Sequence, residues 1–205
     1  MLDQQTKVGE DCLIYRNMAF NEEEFKEYIK PHLAKCRAGD WEHCQRVVYW
    51  VKELGAGRDD LELLIVAGYL HDVGWWDILP DQKIYFQELL TSEKEANDNT
   101  KPYITEIMGA HGYSQEDVDK VVRLAIAADA YESNSDDEEI LVDADSLGKL
   151  DINHLRQKYR ESEWLTIFEG HYIKDIPKRL KTEEAKRIFP KLIDKLSKQL
   201  YNPTS

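Results

Sequence analysis

Thiols, positive charge and long apolar runs are all scarce in this chain of 205 residues. Its three cysteines, Cys12, Cys36 and Cys44, form no C-x-x-C pair and no even-numbered set. That excludes a disulfide scaffold and a thiolate zinc site, and it fits a reducing compartment. Cys44 reads as a small buried residue rather than a nucleophile. No apolar run approaches the roughly 20 residues that span a bilayer. The N-terminal "MLDQQTKVGEDCLIYR" lacks the apolar core of a signal peptide. The expectation is a cytoplasmic protein with no membrane partner. Lys and Arg number 27 against 40 Asp and Glu, for a net charge of -13. Such a deficit argues against a large nucleic-acid surface, which works by neutralising phosphates. A small phosphorylated substrate stays open, because a bound metal can supply local positive charge. Repeats, low-complexity tracts and a parallel-strand pattern are also missing.

What is present is helical periodicity almost throughout. "NEEEFKEYIKPHLAKC" opens with Asn21 as N-cap and Glu24 three residues on, a capping-box pattern. "GDWEHCQRVVYWVKELGAG" opens with Asp40 as cap and ends in glycines. "DDLELLIVAGYLHDVG" is apolar nearly all round, the signature of a buried central helix. "DQKIYFQELLTSEKEANDN" and "YITEIMGAHG" read as two further helices, and "SQEDVDKVVRLAIAADAY" as a third, capped by Ser114. "SDDEEILVDADSLGKLDI" has an acidic first turn that suits the helix dipole. "HLRQKYRESEWLTIFEGHY" and "TEEAKRIFPKLIDKLSKQLY" follow, with Pro190 expected to kink or interrupt the last helix. The expected architecture is all-α: one domain over residues 1–205, with helical extensions at both termini. Its motif-bearing core covers about residues 38–151, and 152–205 form a C-terminal helical extension.

Six histidines are candidates for chemistry. His32, His154 and His171 lie in polar contexts and read as solvated. His43 sits in the first turn of its helix, and the pair His71-Asp72 ends the most apolar one. Imidazole and carboxylate are ligands for a divalent metal. Adjacent helical residues project about 100° apart, so His71 and Asp72 can flank one point only near a helix end or an inter-helix cleft. "ILVDADSL" offers Asp143 or Asp145 from a third helix; two residues apart, they face different ways, and spacing does not say which one faces the pair.

Four segments, "WEHCQRV", "AGYLHDVG", "VVRLAIAADAYES" and "ILVDADSLGKLD", in this order and spacing, resemble the HD superfamily of metal-dependent phosphohydrolases. The likeness is to its small stand-alone hydrolases. The resemblance implies a compact helical bundle and His43, His71, Asp72 and Asp145 as ligands of one divalent metal ion. Manganese, iron, cobalt, nickel, zinc and magnesium all suit such a set. It further implies hydrolysis of a nucleotide or another small phosphate ester, with Asp72 also assisting the attacking water and Asp143 left as a supporting or helix-facing residue.

This chain departs from the family pattern in several places. Relatives with two metals, and the iron oxygenases on this fold, carry extra histidines before the last Asp. Here Asp129 stands where one such histidine is usual, and His111 reads as a turn residue. One metal is therefore expected, with Asp129 as a further catalytic candidate. Trp75 replaces a catalytic Glu of some nucleotidases, and Ser146 replaces the Arg of "DADRL". Arg46, three residues after His43, becomes the candidate phosphate holder, with an ion pair to Asp72 or Asp143 as its other role; Lys149 is a weaker candidate. The alternative function is a catalytically weak HD module that binds a nucleotide or a protein partner. Trp75 and Trp76 are candidates either for the cleft mouth or for packing in the core and under the C-terminal helices, and Tyr131, Glu132 and Ser133 are positional candidates for the cleft wall.

Overall fold

The structure, a computed structural model, describes residues 20–79 and 82–201. Cys12 and the N-terminal segment read above lie outside the described residues. The elements are helical, as expected: α1 (Glu22–Leu33), α2 (Asp40–Leu54), α3 (Leu61–Leu70), α4 (Phe86–Ala110), α5 (Gln115–Ala130), α6 (Asp136–Gly148), α7 (Ile152–Lys158), α8 (Trp164–Ile167), α9 (Ile176–Arg179) and α10 (Glu183–Tyr201). No helix among the described residues is long and apolar enough to cross a membrane.

Local chemistry sets most boundaries. Asn21 Oδ1 accepts from Glu24 N at 3.3 Å and starts α1. Ser114 and Asp117 form a reciprocal capping box at the start of α5. The start of α2 differs from expectation: Gly39, at φ 80°, is the cap, and Asp40 is the first helical residue. Asp40 instead turns its Oδ2 back to Arg37 N and Nε, both at 2.9 Å. That removal of Asp40 from capping duty ties Arg37 to the site described below.

α3 is the centre of the bundle. Leu64 through Leu70 are all buried, and full burial of a large apolar side chain stabilises by about 1.5–3 kcal/mol. The helix ends at His71 and passes into a 3₁₀ turn, Val73–Trp75. Gly74 permits that turn to touch α4: a Cβ there would lie 2.2 Å from Ala96 O and 2.5 Å from Thr100 Oγ1.

Two helices expected before His111 are one. α4 runs unbroken through Pro102, because Ala96, Thr100, Ile104, Ile107 and Met108 continue a single buried face across it. α10 likewise continues through Pro190. In both, packing of the buried stripe outweighs the lost backbone donor. The opposite happens in "HLRQKYRESEWLTIFEGHY". After α7, Tyr159 turns extended and pairs with Ile84. A 3₁₀ turn (Glu161–Glu163), α8 and a π-type turn (Phe168–Tyr172) follow.

The buried apolar residues form two clusters. One joins α1 to α6 around Leu64, Leu70, Val73 and Leu141. The other gathers Ile84, Leu147, Leu155, Phe168, Tyr172 and Leu196. Trp50, Leu54, Leu79 and Leu89 pack against both. A cleft between these clusters opens onto the end of α3.

Candidate metal centre

Three helices bring donor atoms to the floor of the cleft. His43 comes from the first turn of α2, His71 and Asp72 from the end of α3, and Asp145 from the last turn of α6. All four are buried. One donor atom each of His43, His71 and Asp72 lies within 4.8 Å of the others, a cluster that could hold a metal ion. Asp145 Oδ1 is 3.0 Å from His43 Nε2 and 3.6 Å from His71 Nε2. Asp72 Oδ2 is 4.0 Å from His43 Nε2 and 3.7 Å from His71 Nε2.

These separations fit a shared ion. Donors about 2.0–2.2 Å from one metal stand about 3–4 Å apart. His71 supports the fit on its own. Its Nδ1 donates to Gly68 O at 2.9 Å, which orients the ring and aims Nε2 at the two carboxylates. Nε2 is buried and has no hydrogen-bond partner. A buried polar atom left unpaired is costly, and here it points where the other donors converge.

Electrostatics keeps the carboxylates ionised. Burial alone would raise the pKa of Asp72, but Arg37, Lys158 and the two imidazoles hold it well below the usual range. Burial likewise opposes ionisation of Asp145, and Lys149, with both histidines, overcomes it. His43 is driven down to about 3, mainly by burial. His71 is moved the other way: Asp72 and Asp145 outweigh its burial and raise its pKa.

A ring of cations holds these acids in place. Arg37 Nη2 is 2.7 Å from Asp72 Oδ2, while its Nε bonds Asp40. The Arg37 guanidinium also lies 3.8 Å from the centre of the Trp75 ring. Lys158 Nζ bridges Asp40 Oδ1 at 2.6 Å and Asp72 Oδ2 at 3.5 Å. Lys149 Nζ reaches Asp145 Oδ2 at 2.6 Å and Tyr131 Oη at 2.9 Å. α4 adds Phe86, Leu89 and Leu90 to the lining as apolar surface, and Glu93 and Asn97 as polar groups.

The two aspartates of "DAD" part company as their spacing requires. Asp145 faces the histidines. Asp143 faces α10, accepting from Lys181 N, Thr182 N and Thr182 Oγ1 at 2.7–2.8 Å. Arg46 lies away from the cleft: it donates to Gly148 O and Gln157 Oε1, both at 3.1 Å, and its Nη2 is 3.3 Å from His154 Nδ1. It pairs with neither Asp72 nor Asp143, because the start of α7 and the end of α6 close over it. Cys44 is buried, and burial raises its thiol pKa. His111 caps the end of α4 against Phe25 and Tyr28, outside this cleft. Trp75 lines the cleft, whereas Trp76 packs on His32 and Tyr103.

Three histidines expected in solvent are not exposed. His154 is fully buried with its ring 4.7 Å from that of His43, since α7 folds back onto α2. His171 lines the cleft, and His32 is half-buried beside Trp76. The polar neighbours that made these segments read as surface lie on the other faces of short helices. Arg37, Lys158, Tyr159, His171 and Arg179 are cleft residues that no sequence motif marked. Only Arg37, three residues before Asp40, carries a local hint.

Asp129 lines the cleft at the end of α5. Burial, then the nearby Asp72, raises its pKa to about 7. Its charge is therefore disfavoured in the fold relative to the unfolded chain. Asp129→Asn is expected to stabilise the metal-free protein. The gain grows as pH rises from about 4 toward 7 and levels off above, reaching about 2 kcal/mol, reduced from full linkage because water reaches the cleft. Thermal unfolding of both proteins across pH checks this; a gain that shrinks with rising pH contradicts it.

The chain matched no curated protein and no solved structure. Residues 40–148 match a family model described as HD domain. The match begins at Asp40, ends at Gly148 and contains all four converging side chains. Covering more than half of the sequence and agreeing with an all-helical fold, it shows that this chain belongs to the HD-domain family.

Proposed function

We propose that this protein is a metal-dependent phosphohydrolase acting on a small phosphate ester, with nucleotides as the leading class. The observation that carries the reading is the convergence of His43 Nε2, His71 Nε2, Asp72 Oδ2 and Asp145 Oδ1 at the floor of a cation-lined cleft. Those four atoms would hold one divalent ion, with manganese, iron, cobalt, nickel, zinc and magnesium all compatible. Such an ion, when bound, lowers the pKa of a water and polarises a phosphoryl oxygen.

The remaining work falls to the protein. Arg37 and Lys158 keep Asp72 ionised and fix its orientation. Lys149 does the same for Asp145. Asp129, with a pKa of about 7, can accept or release a proton near neutral pH. Phe86, Leu89 and Leu90 offer an apolar face to the organic part of the ester.

A second reading is a family member that binds its ligand with little turnover. It is favoured by the position of Arg46, which is engaged with α6 and α7 rather than the cleft. One screen separates the two. Purified protein is offered nucleotides and simple phosphate esters with each divalent metal in turn. Hydrolysis of at least one ester that stops on chelation is expected; nucleotide binding without any turnover would establish the second reading instead.

A further inference from the structure

Four cationic side chains line the cleft: Arg37, Lys149, Lys158 and Arg179. Three of them are committed. Arg37 and Lys158 pair with Asp40 and Asp72, and Lys149 pairs with Asp145. Three cations are thus paired with three carboxylates, and the two other carboxylates of the cleft, Glu93 and Asp129, form no ion pair with Arg179. Arg179 makes no ion pair among the described residues; its contacts are with a ring and an imidazole. Its guanidinium lies 3.6 Å from the centre of the Tyr131 ring, and its Nη1 is 3.3 Å from His171 Nε2.

The surroundings hold Arg179 in place without neutralising it. His171 is kept neutral, lowered to about 4 chiefly by burial. Its Nδ1 is 3.5 Å from Asp175 Oδ2, which places the proton there and leaves Nε2 to accept from Arg179. Only one of five guanidinium N–H donors is used that way. Tyr131, beneath it, adopts φ 55° at the end of α5. That conformation is unfavourable for a non-glycine residue, so the ring is held there by its contacts: Lys149 on its hydroxyl and Arg179 on its face.

The order of contacts gives the location. Asp145 bonds Lys149, Lys149 bonds Tyr131, and Arg179 covers Tyr131. Arg179 is thus linked to Asp145 only through Tyr131 and Lys149, and no hydrogen bond or ion pair joins it to any of the four converging donors among the described residues. Both His171 and Arg179 lie outside the residues that match the family model.

We propose that Arg179, stacked on Tyr131 and braced by His171, binds a second oxyanion of the substrate, a phosphate or a carboxylate distinct from the group hydrolysed. The inference rests on the phosphohydrolase reading for the word substrate, but its test does not depend on turnover. A guanidinium holds either oxyanion through paired N–H donors, and its stacking leaves the ring plane fixed for such a pair.

Manganese-loaded protein is titrated calorimetrically with methylphosphonate, phosphonoacetate and methylenediphosphonate, none of which has a hydrolysable ester. The wild type is expected to bind at least one of the two longer ligands about tenfold or more tightly than methylphosphonate. A preference for methylenediphosphonate names phosphate as the second group, and one for phosphonoacetate names carboxylate. Arg179→Ala is expected to erase most of that preference, and Arg179→Lys to retain part of it. Arg179→Gln serves if the alanine variant unfolds. A wild type that does not discriminate overturns the proposal, as does a variant that keeps the full preference or weakens all three ligands equally. The phosphatase screen fails or succeeds separately.

Discussion

His71→Ala and Asp145→Ala are each expected to strip bound metal from the purified protein and, if the proposed activity holds, to lower metal-dependent turnover by about 100-fold or more. His71 contributes a buried Nε2 with no other partner, and Asp145 contributes the oxygen nearest both imidazoles. Removing either leaves a site one donor short, and neither gap can be filled by a neighbour. Asp143, two residues from Asp145, is engaged with Lys181 and Thr182 across the helix. Elemental analysis of each variant beside the wild type provides the check. Full metal occupancy in both variants would remove the assignment, whatever happened to activity.

Arg37→Ala is expected to cost about 3–5 kcal/mol of stability, the usual consequence of deleting one partner of a buried ion pair. For a chain of this size that corresponds to a fall in Tm of about 10 °C. Arg37 is only 5% exposed, and its removal strands Asp40 and Asp72 with Lys158 as their remaining cation. The pH dependence follows from the depressed pKa of Asp72. The stabilisation that Arg37 gives an ionised Asp72 is complete above the unfolded carboxylate pKa. It is lost as the pH falls through the lower folded value. The gap between wild type and variant is therefore widest near neutrality and narrows in acid. Arg37→Lys, which keeps the charge but not the fork that spans two carboxylates, should recover only part of the loss. An alanine variant as stable as the wild type at pH 7 would mean that the cluster around Asp72 contributes nothing to the fold.

Much of the helical architecture could be read from capping residues and periodicity. Asn21 and Ser114 start helices, and the apolar run from Leu64 to Leu70 is the buried centre. The failures share one cause. Pro102 and Pro190 sit inside continuous helices because buried faces extend across them. His154 sits in a polar stretch yet is buried beside His43, because α7 packs back on α2. Local composition carries no information about which face of a short helix meets a distant one.

The site divides in the same way. The run "AGYLHDVGWW", with its apolar helix, the His-Asp pair at the helix end and a glycine that admits no side chain, marks a buried donor pair by itself. The alternation of Asp143 and Asp145 adds only that the two face apart. Which of the two meets His43 was decided by the packing of α2 against α6, not by spacing. The cations came from still farther away: Arg37 precedes the matched region, and Lys158 and Arg179 follow it. Periodicity is a property of one helix, and it fixes where that helix buries its donors. Charge balance in a cleft is a property of several helices at once. Sequence alone therefore marked the His71-Asp72 pair and offered Asp143 or Asp145 beside it, and only the tertiary structure decided which of the two meets His43, which cations answer the acids, and which one, Arg179, is left without an ion pair among the described residues.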